Sequence, residues 1–286
     1  RSFSRGPGVM SNRIQPDVVV IGHVSRDVTH TGHVLGGGAA YASLTIKALG
    51  LLPAVVTSCG PDVDLSSVLP EIPVHVKPAG ATTTFVNTYD GGRRRQQVKA
   101  VAETLCASDV PSEWRAAPFV LLTPLVREID DSVLDAFGSP TVVASFQGWI
   151  REWDDDGVVS TRDWDGGRVL DNICAAQFSD DDGVTPEQIE RWAERCPVLL
   201  HTKGASGSRV WVDGSWYDQP AFPAHEVDPT GGGDVFSAAF LVRFQESGDA
   251  LDAARFASCA ASFCVERVGA EGIPNRAMIE ARLSGD

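Results

Sequence analysis

The segment Asp228-Pro229-Thr230-Gly231-Gly232-Gly233-Asp234 concentrates reactive chemistry and runs straight into an apolar helical stretch, Val235-Phe236-Ser237-Ala238-Ala239-Phe240-Leu241. Successive glycines let backbone N–H groups converge on one point, and the N-terminus of the following helix adds partial positive charge, so together they form an anion site. A carboxylate at its mouth repels a bound phosphate, yet the helix dipole favours the ionised form of Asp234. Beside a transferring phosphoryl group such a carboxylate can accept the proton of an attacking hydroxyl. The arrangement therefore suits phosphoryl transfer to a hydroxyl, with a glycine turn and an ordinary first-turn acid as the plainer alternative.

Other phosphate-binding devices are missing from the chain. It contains no G-x-x-x-x-G-K-[ST] loop and none of the protein-kinase motifs. Phosphates would be held by Gly231, Gly232 and Gly233, by the turn Thr202-Lys203-Gly204-Ala205-Ser206-Gly207 and by Mg²⁺, with positioning and electrostatics supplying most of the catalysis. In that reading Asp234 is the base, and the glycine N–H groups form the anion hole that stabilises charge building on the phosphoryl oxygens.

Several motifs in matching order, from Asp17 to about Leu283, resemble the ribokinase-like, or PfkB, sugar kinases, whose late signature reads D-T-x-G-A-G-D before a helix. Gly22-His23-Val24-Ser25-Arg26-Asp27 is similar to the family's first-strand motif, and the resemblance implies that Asp27 binds substrate hydroxyls. Gly36-Gly37-Gly38-Ala39-Ala40-Tyr41-Ala42, ending in Ala48-Leu49-Gly50, resembles the double-glycine signature and implies substrate contacts at Gly37, Gly38 and Tyr41. Thr202 to Gly207 resembles the family's T-x-G-x-x-G turn, which places Thr202, Gly204 and Gly207 at ATP. Arg255 to Ala270 resembles the helix and loop that wall the adenine site, with Ser258 on the nucleotide and carbonyls lent to a monovalent cation, such as K⁺, near Asp228. Ser179-Asp180-Asp181-Asp182 stands where the family has N-x-x-E. The resemblance implies Ser179 at ATP and Asp182 as a ligand of Mg²⁺ through water, a solvated acidic loop being the alternative.

Departures from the family pattern bear on the acceptor. Tyr41 replaces the asparagine of ribokinase, and Gly38 stands where a lysine would follow the glycine pair, which argues against ribose. Gln147-Gly148-Trp149-Ile150-Arg151 and Gly91-Gly92-Arg93-Arg94-Arg95-Gln96 resemble the branch that includes plant myo-inositol kinases, implying polyol contacts from Gln147 and Arg151. Alternatively the arginines of the second stretch solubilise an exposed turn. The expected activity is ATP-dependent phosphorylation of a polyol or sugar, myo-inositol-like in the favoured case. A nucleoside kinase, with Tyr41 or Phe85 stacked on the base, is one alternative. A nucleotide-binding regulatory protein without turnover is another, for which Pro229 and the altered N-x-x-E motif leave room.

These residues need rigid elements to bring them together. Short apolar runs, Val18–Ile21, Ala54–Thr57, Phe119–Leu122, Thr141–Ala144 and Val198–Leu200, alternate with helical stretches, as in a parallel sheet covered on both faces. One helix spans Ala39–Leu49 before Gly50, and another follows Thr185-Pro186-Glu187-Gln188, which supplies an N-cap, a proline at the first helical position and a capping-box glutamine. Residues 82–89 and 93–98 read as a hairpin outside the main sheet, turning at Asp90-Gly91-Gly92. A second hairpin joins 209–212 to 215–217. The fold class is thus α/β, a three-layer α/β/α sandwich of ribokinase-like type with a mostly parallel central sheet and a small β lid. Residues 1–16 are expected to be an N-terminal tail, 17–286 the kinase domain, and about 27–36 and 82–99 the lid.

Composition narrows the partners. The 286 residues are 43% hydrophobic, 22% charged and carry a net charge of −14, which excludes disorder and argues against a nucleic-acid partner. Six cysteines without a C-x-x-C pair, and apolar runs far shorter than a bilayer requires, point to a reduced, cytoplasmic chain without a membrane partner. Cys259 and Cys264 read as core residues, and His30 with His33 as no metal site. The resemblance implies that the lid can also be a homodimer surface; the remaining partners are ATP and a small hydroxyl compound.

Overall fold

Strand β1 (Val18–Ile21) is apolar and buried at every position because it lies inside a sheet covered on both faces. Its neighbours are β4 (Pro53–Cys59) and β8 (Phe119–Leu122), both parallel to it and in a common register, with Val18 beside Pro53 and Phe119. In this computed structural model, which describes residues 15–29, 32–90 and 93–285, the central sheet has nine strands. Beyond β4 lies β5 (Val74–Pro78), and beyond β8 follow β9 (Thr141–Ser145), β12 (Ala175–Ser179) and β13 (Val198–Thr202), all parallel. The hairpin β14 (Ser208–Val212) and β15 (Ser215–Gln219) closes that end with antiparallel pairing.

Alternation along β1 sends Val18 and Val20 into one core and Val19 and Ile21 into the other. The first core is roofed by α1 (Gly38–Ala48), α4 (Gly232–Ser247), α5 (Ala250–Cys264) and α6 (Arg276–Ser284). The second is covered more by loops and 3₁₀ turns than by helices. There α3 (Pro186–Ala193), opened by the predicted Thr185 cap and Gln188 capping box, buries Trp192 against Phe146, Trp164 and Phe178, at ring separations of 4.9–6.1 Å.

The lid is a separate four-stranded sheet in the order β3 (Gly32–Gly36), β2 (Ser25–Thr29), β6 (Thr83–Asp90) and β7 (Arg93–Ala100). Its inner face buries Phe85 and Val98 on Leu125 and Val126 from the loop after β8. The predicted turn glycines Gly91 and Gly92, and His30, lie outside the described residues. A short hairpin, β10 (Arg151–Trp153) with β11 (Val159–Thr161), and a one-turn helix α2 (Leu65–Val68) complete the elements. All six cysteines are free, and among the described residues no helix is long and apolar enough to cross a membrane.

Candidate active site

The parallel strands end on one side of the sheet, where open α/β folds gather their ligands. There the N-termini of α1 and α4 meet. A Cβ placed on Gly38 would stand 2.6 Å from Thr123 Cβ and 2.9 Å from Asp234 Oδ1, so only glycine lets α1 approach this closely. Gly231 caps α4 with φ +81°, and a Cβ there would fall 2.3 Å from the ring of Tyr41. The same ring touches the glycine before α1: at Gly36 a Cβ would lie 3.4 Å from Tyr41 Cε2 and 3.6 Å from Asp27 Oδ2. Asp27, Gly36–Gly38, Tyr41, Gly231 and Asp234 therefore share one site.

Not all three glycines of the expected anion hole offer their N–H groups. That of Gly232 donates to the Pro229 carbonyl oxygen at 3.2 Å, whereas those of Gly233 and Asp234 have no acceptor within the helix.

Three charged side chains set the electrostatics. Burial pushes the Asp234 carboxyl up to about 7, Arg151 pulling it down and Asp182 pushing it up. Asp182 is raised as well, chiefly by burial, against the pull of Arg151. It accepts from the Ser179 N–H at 2.8 Å and from Gln147 Nε2 at 3.2 Å, which brings Gln147, Ser179 and Asp182 together as one cluster. Arg151 donates to the Leu125 carbonyl oxygen at 3.3 Å and lies 5.9 Å from the Phe85 ring centroid, under the lid. Among the described residues no three His, Cys, Asp or Glu side chains gather as a metal cage.

Residues 175–276 match the pfkB family carbohydrate kinase description. The match takes in the glycine run and Asp234 on the late part of the chain. Over 292 aligned residues, 92% of this chain and 74% of the relative, it is 26% identical to an inositol 3-kinase of Zea mays. It is also 28% identical over 260 residues to a cytidine kinase of Thermococcus kodakarensis, covering 80% of this chain and 88% of that one. Its fold matches that of a pyrophosphate-dependent kinase of the ribokinase family, complexed with a pyrophosphate analog and myo-inositol, at a TM-score of 0.77 and 24% identity over 94% of this chain and 100% of the other.

Within the matched stretch the expected donor residues form a chain running outward from Gly233. Gln177 would lie 3.5 Å from a Cβ at Gly233, and its Nε2 donates to Thr202 Oγ1 at 3.0 Å. Thr202 pairs in register with Ser208, whose hydroxyl is 3.5 Å from that of Ser258. Gly204 and Gly207 bound the turn beyond β13, and Gly207 is pressed against the Gln219 carbonyl oxygen with φ +91°. Asp228 ties two loops, its Oδ1 accepting from the Thr230 N–H and its Oδ2 from the Gly269 N–H.

Burial changes the reading of Tyr41. Only 3% of its surface is exposed, and burial drives its phenol well above the usual range, with Cys264, Asp228, Asp234 and Asp27 adding to the rise. Phe85 is 2% exposed. Neither ring has a free face for stacking on a base. Residue types alone did not single out Thr123, Gln177 or Glu128. For Gln177 the available signal was one polar residue in the otherwise apolar run Ala175-Ala176-Gln177-Phe178.

Proposed function

We propose that this chain transfers a phosphoryl group from ATP to a hydroxyl of a myo-inositol-like polyol or sugar. The observation that supports this most directly is the position of Asp234, on the first turn of α4, against Gly38 and within the field of Arg151 and Asp182. An acid raised to about 7 is matched to accepting a proton near neutral pH. Asp27 and Arg151 bind acceptor hydroxyls, with Gln147 beside Asp182 completing the polar wall. The N–H groups of Gly233 and Asp234 meet the transferring phosphoryl oxygens. The lid, which carries Asp27 and lies over Arg151, excludes water as a competing acceptor.

The donor side rests on Ser179, Thr202, Gly204, Gly207 and Ser258. Asp182 would hold Mg²⁺ through water, since a hard cation of this kind keeps several waters, and the ion would supply neutralisation of the donor phosphates. Each Asp228 oxygen keeps lone-pair capacity beyond one backbone N–H, which suits a monovalent cation such as K⁺. A nucleoside acceptor is the second reading, favoured by the cytidine kinase relative and disfavoured by the burial of Tyr41 and Phe85.

The test is product formation with Mg²⁺-ATP, and separately with Mg²⁺-pyrophosphate, against inositols, pentoses, hexoses and nucleosides. Phosphorylated inositol from ATP supports the reading. Turnover confined to nucleosides overturns the acceptor, turnover confined to pyrophosphate overturns the donor, and silence across the panel overturns the activity.

A further inference from the structure

Every passage of the chain between sheet and lid converges on one buried histidine. His23 lies between β1 and β2 with 0% of its surface exposed. Its Nε2 is 2.9 Å from the Glu103 carbonyl oxygen, beyond the end of β7, and its Nδ1 is 2.7 Å from Thr83 Oγ1, at the start of β6. A carbonyl oxygen only accepts, so Nε2 carries the hydrogen and Nδ1 accepts from the Thr83 hydroxyl. The Thr83 oxygen in turn accepts the Ala102 N–H at 3.0 Å. The network is closed, with each buried polar atom in one defined role.

Glu128 fixes the backbone of the same residue. Its carboxylate, 1% exposed, accepts the N–H groups of His23 at 3.1 Å, Leu125 at 2.9 Å and Val126 at 2.7 Å. Leu125 is the residue whose carbonyl oxygen receives Arg151. A Cβ on Gly37 would stand 2.6 Å from the His23 carbonyl oxygen and 2.8 Å from the Ser25 nitrogen, so the double-glycine segment rests directly on this backbone. Displacing His23 therefore displaces Gly37 and the strand that carries Asp27, while displacing Glu128 shifts the anchor of Arg151.

We infer that His23, Glu128 and Thr83 form a buried pin at the base of the lid that holds Asp27, Gly37 and Arg151 in register over the acceptor. They are positioning residues and touch neither substrate. The inference deepens the proposed kinase reading, because the acceptor and not the donor is the ligand they would affect.

Thr83→Val removes the hydroxyl and keeps the shape, Thr83→Ser restores the hydroxyl, and Glu128→Gln replaces an acceptor oxygen with a donor. The readouts are hydrogen exchange of the full chain and steady-state kinetics with myo-inositol and Mg²⁺-ATP. In Thr83→Val, peptides from β6 and β7 are expected to exchange roughly tenfold faster, and in Glu128→Gln those covering the loop after β8 that holds Leu125 and Val126, with β1 and β8 themselves unchanged, as follows from the buried hydrogen bonds lost. KM for myo-inositol rises by a similar factor while KM for ATP stays constant, and Thr83→Ser returns both to wild type. Unchanged exchange in the lid, faster exchange spread equally over β1 and β8, or equal rises in both KM values overturns the pin. If the wild type phosphorylates no acceptor, the functional reading fails and the exchange comparison decides the pin by itself.

Discussion

Gly38 and Asp234 stand face to face, so close that a Cβ on the first would lie 2.9 Å from a carboxylate oxygen of the second. Helix α1 thus meets the proposed base on α4 without any side chain of its own between them. Gly38→Ala would push either Thr123 or Asp234 aside, because its Cβ also meets Thr123 Cβ at 2.6 Å. The variant is expected to keep its circular dichroism spectrum and lose about 10² in kcat, the usual consequence of displacing reacting groups by about an ångström. Wild-type kcat in the folded variant would remove Asp234 from the chemistry.

Asp234→Asn tests the base directly. A general base contributes about 10²–10⁴ to rate, and the variant should lose at least the lower figure. In the wild type, kcat/KM for the acceptor should rise as pH passes through about 7, where the carboxyl loses its proton. The stability consequence has the opposite sign. The folded-state value lies above the reference 3.8, so the folded protein holds the extra proton between those two pH values and loses stability as pH rises through that window. Melting temperatures should therefore diverge in favour of Asp234→Asn between pH 4 and pH 8.

Thr185→Ala provides a control at a stabilising cap that the proposed chemistry does not use. Thr185 caps α3 by accepting the Gln188 N–H at 3.3 Å, and Gln188 accepts the Thr185 N–H in return at 3.0 Å. Removing such a cap costs about 1 kcal/mol. Denaturant unfolding should register that loss while kcat and both KM values stay at wild type.

The parts of the fold that were readable from sequence are those where one local rule dominates. Val18–Ile21 is apolar throughout because both sheet faces are covered, and Thr185 to Gln188 spells its own cap. Strands β5 and β12 escaped because Val74-His75-Val76-Lys77-Pro78 and Ala175-Ala176-Gln177-Phe178-Ser179 lack a β-branched run, and their pairing comes from neighbours distant in sequence. In the site, the glycine run before Asp234 suggested an anion-binding turn, but the use of the Gly232 N–H by Pro229 depends on how that turn closes. The burial of Tyr41 is likewise a product of packing between Gly36 and Gly231, two segments about two hundred residues apart in the chain. Glu128 was illegible for the same reason, since one of its partners, His23, lies in a different loop.

Arg151 and Asp182 act on Asp234 with opposite signs, which allows the electrostatic assignment to be tested in both directions. Arg151 stabilises the ionised carboxylate and Asp182 opposes it. Replacing Arg151 with Gln should move the rising limb of kcat/KM to higher pH, and Asp182→Asn should move it to lower pH. Arg151→Gln should also raise the acceptor KM, because its guanidinium sits under the lid near Phe85, whereas Asp182→Asn should weaken the response to Mg²⁺. The pH midpoint separates these effects, since a residue that merely shaped the site would alter KM without moving the limb. Shifts of the same sign in the two variants, or a limb that stays in place in both, would mean that the titrating group is not Asp234.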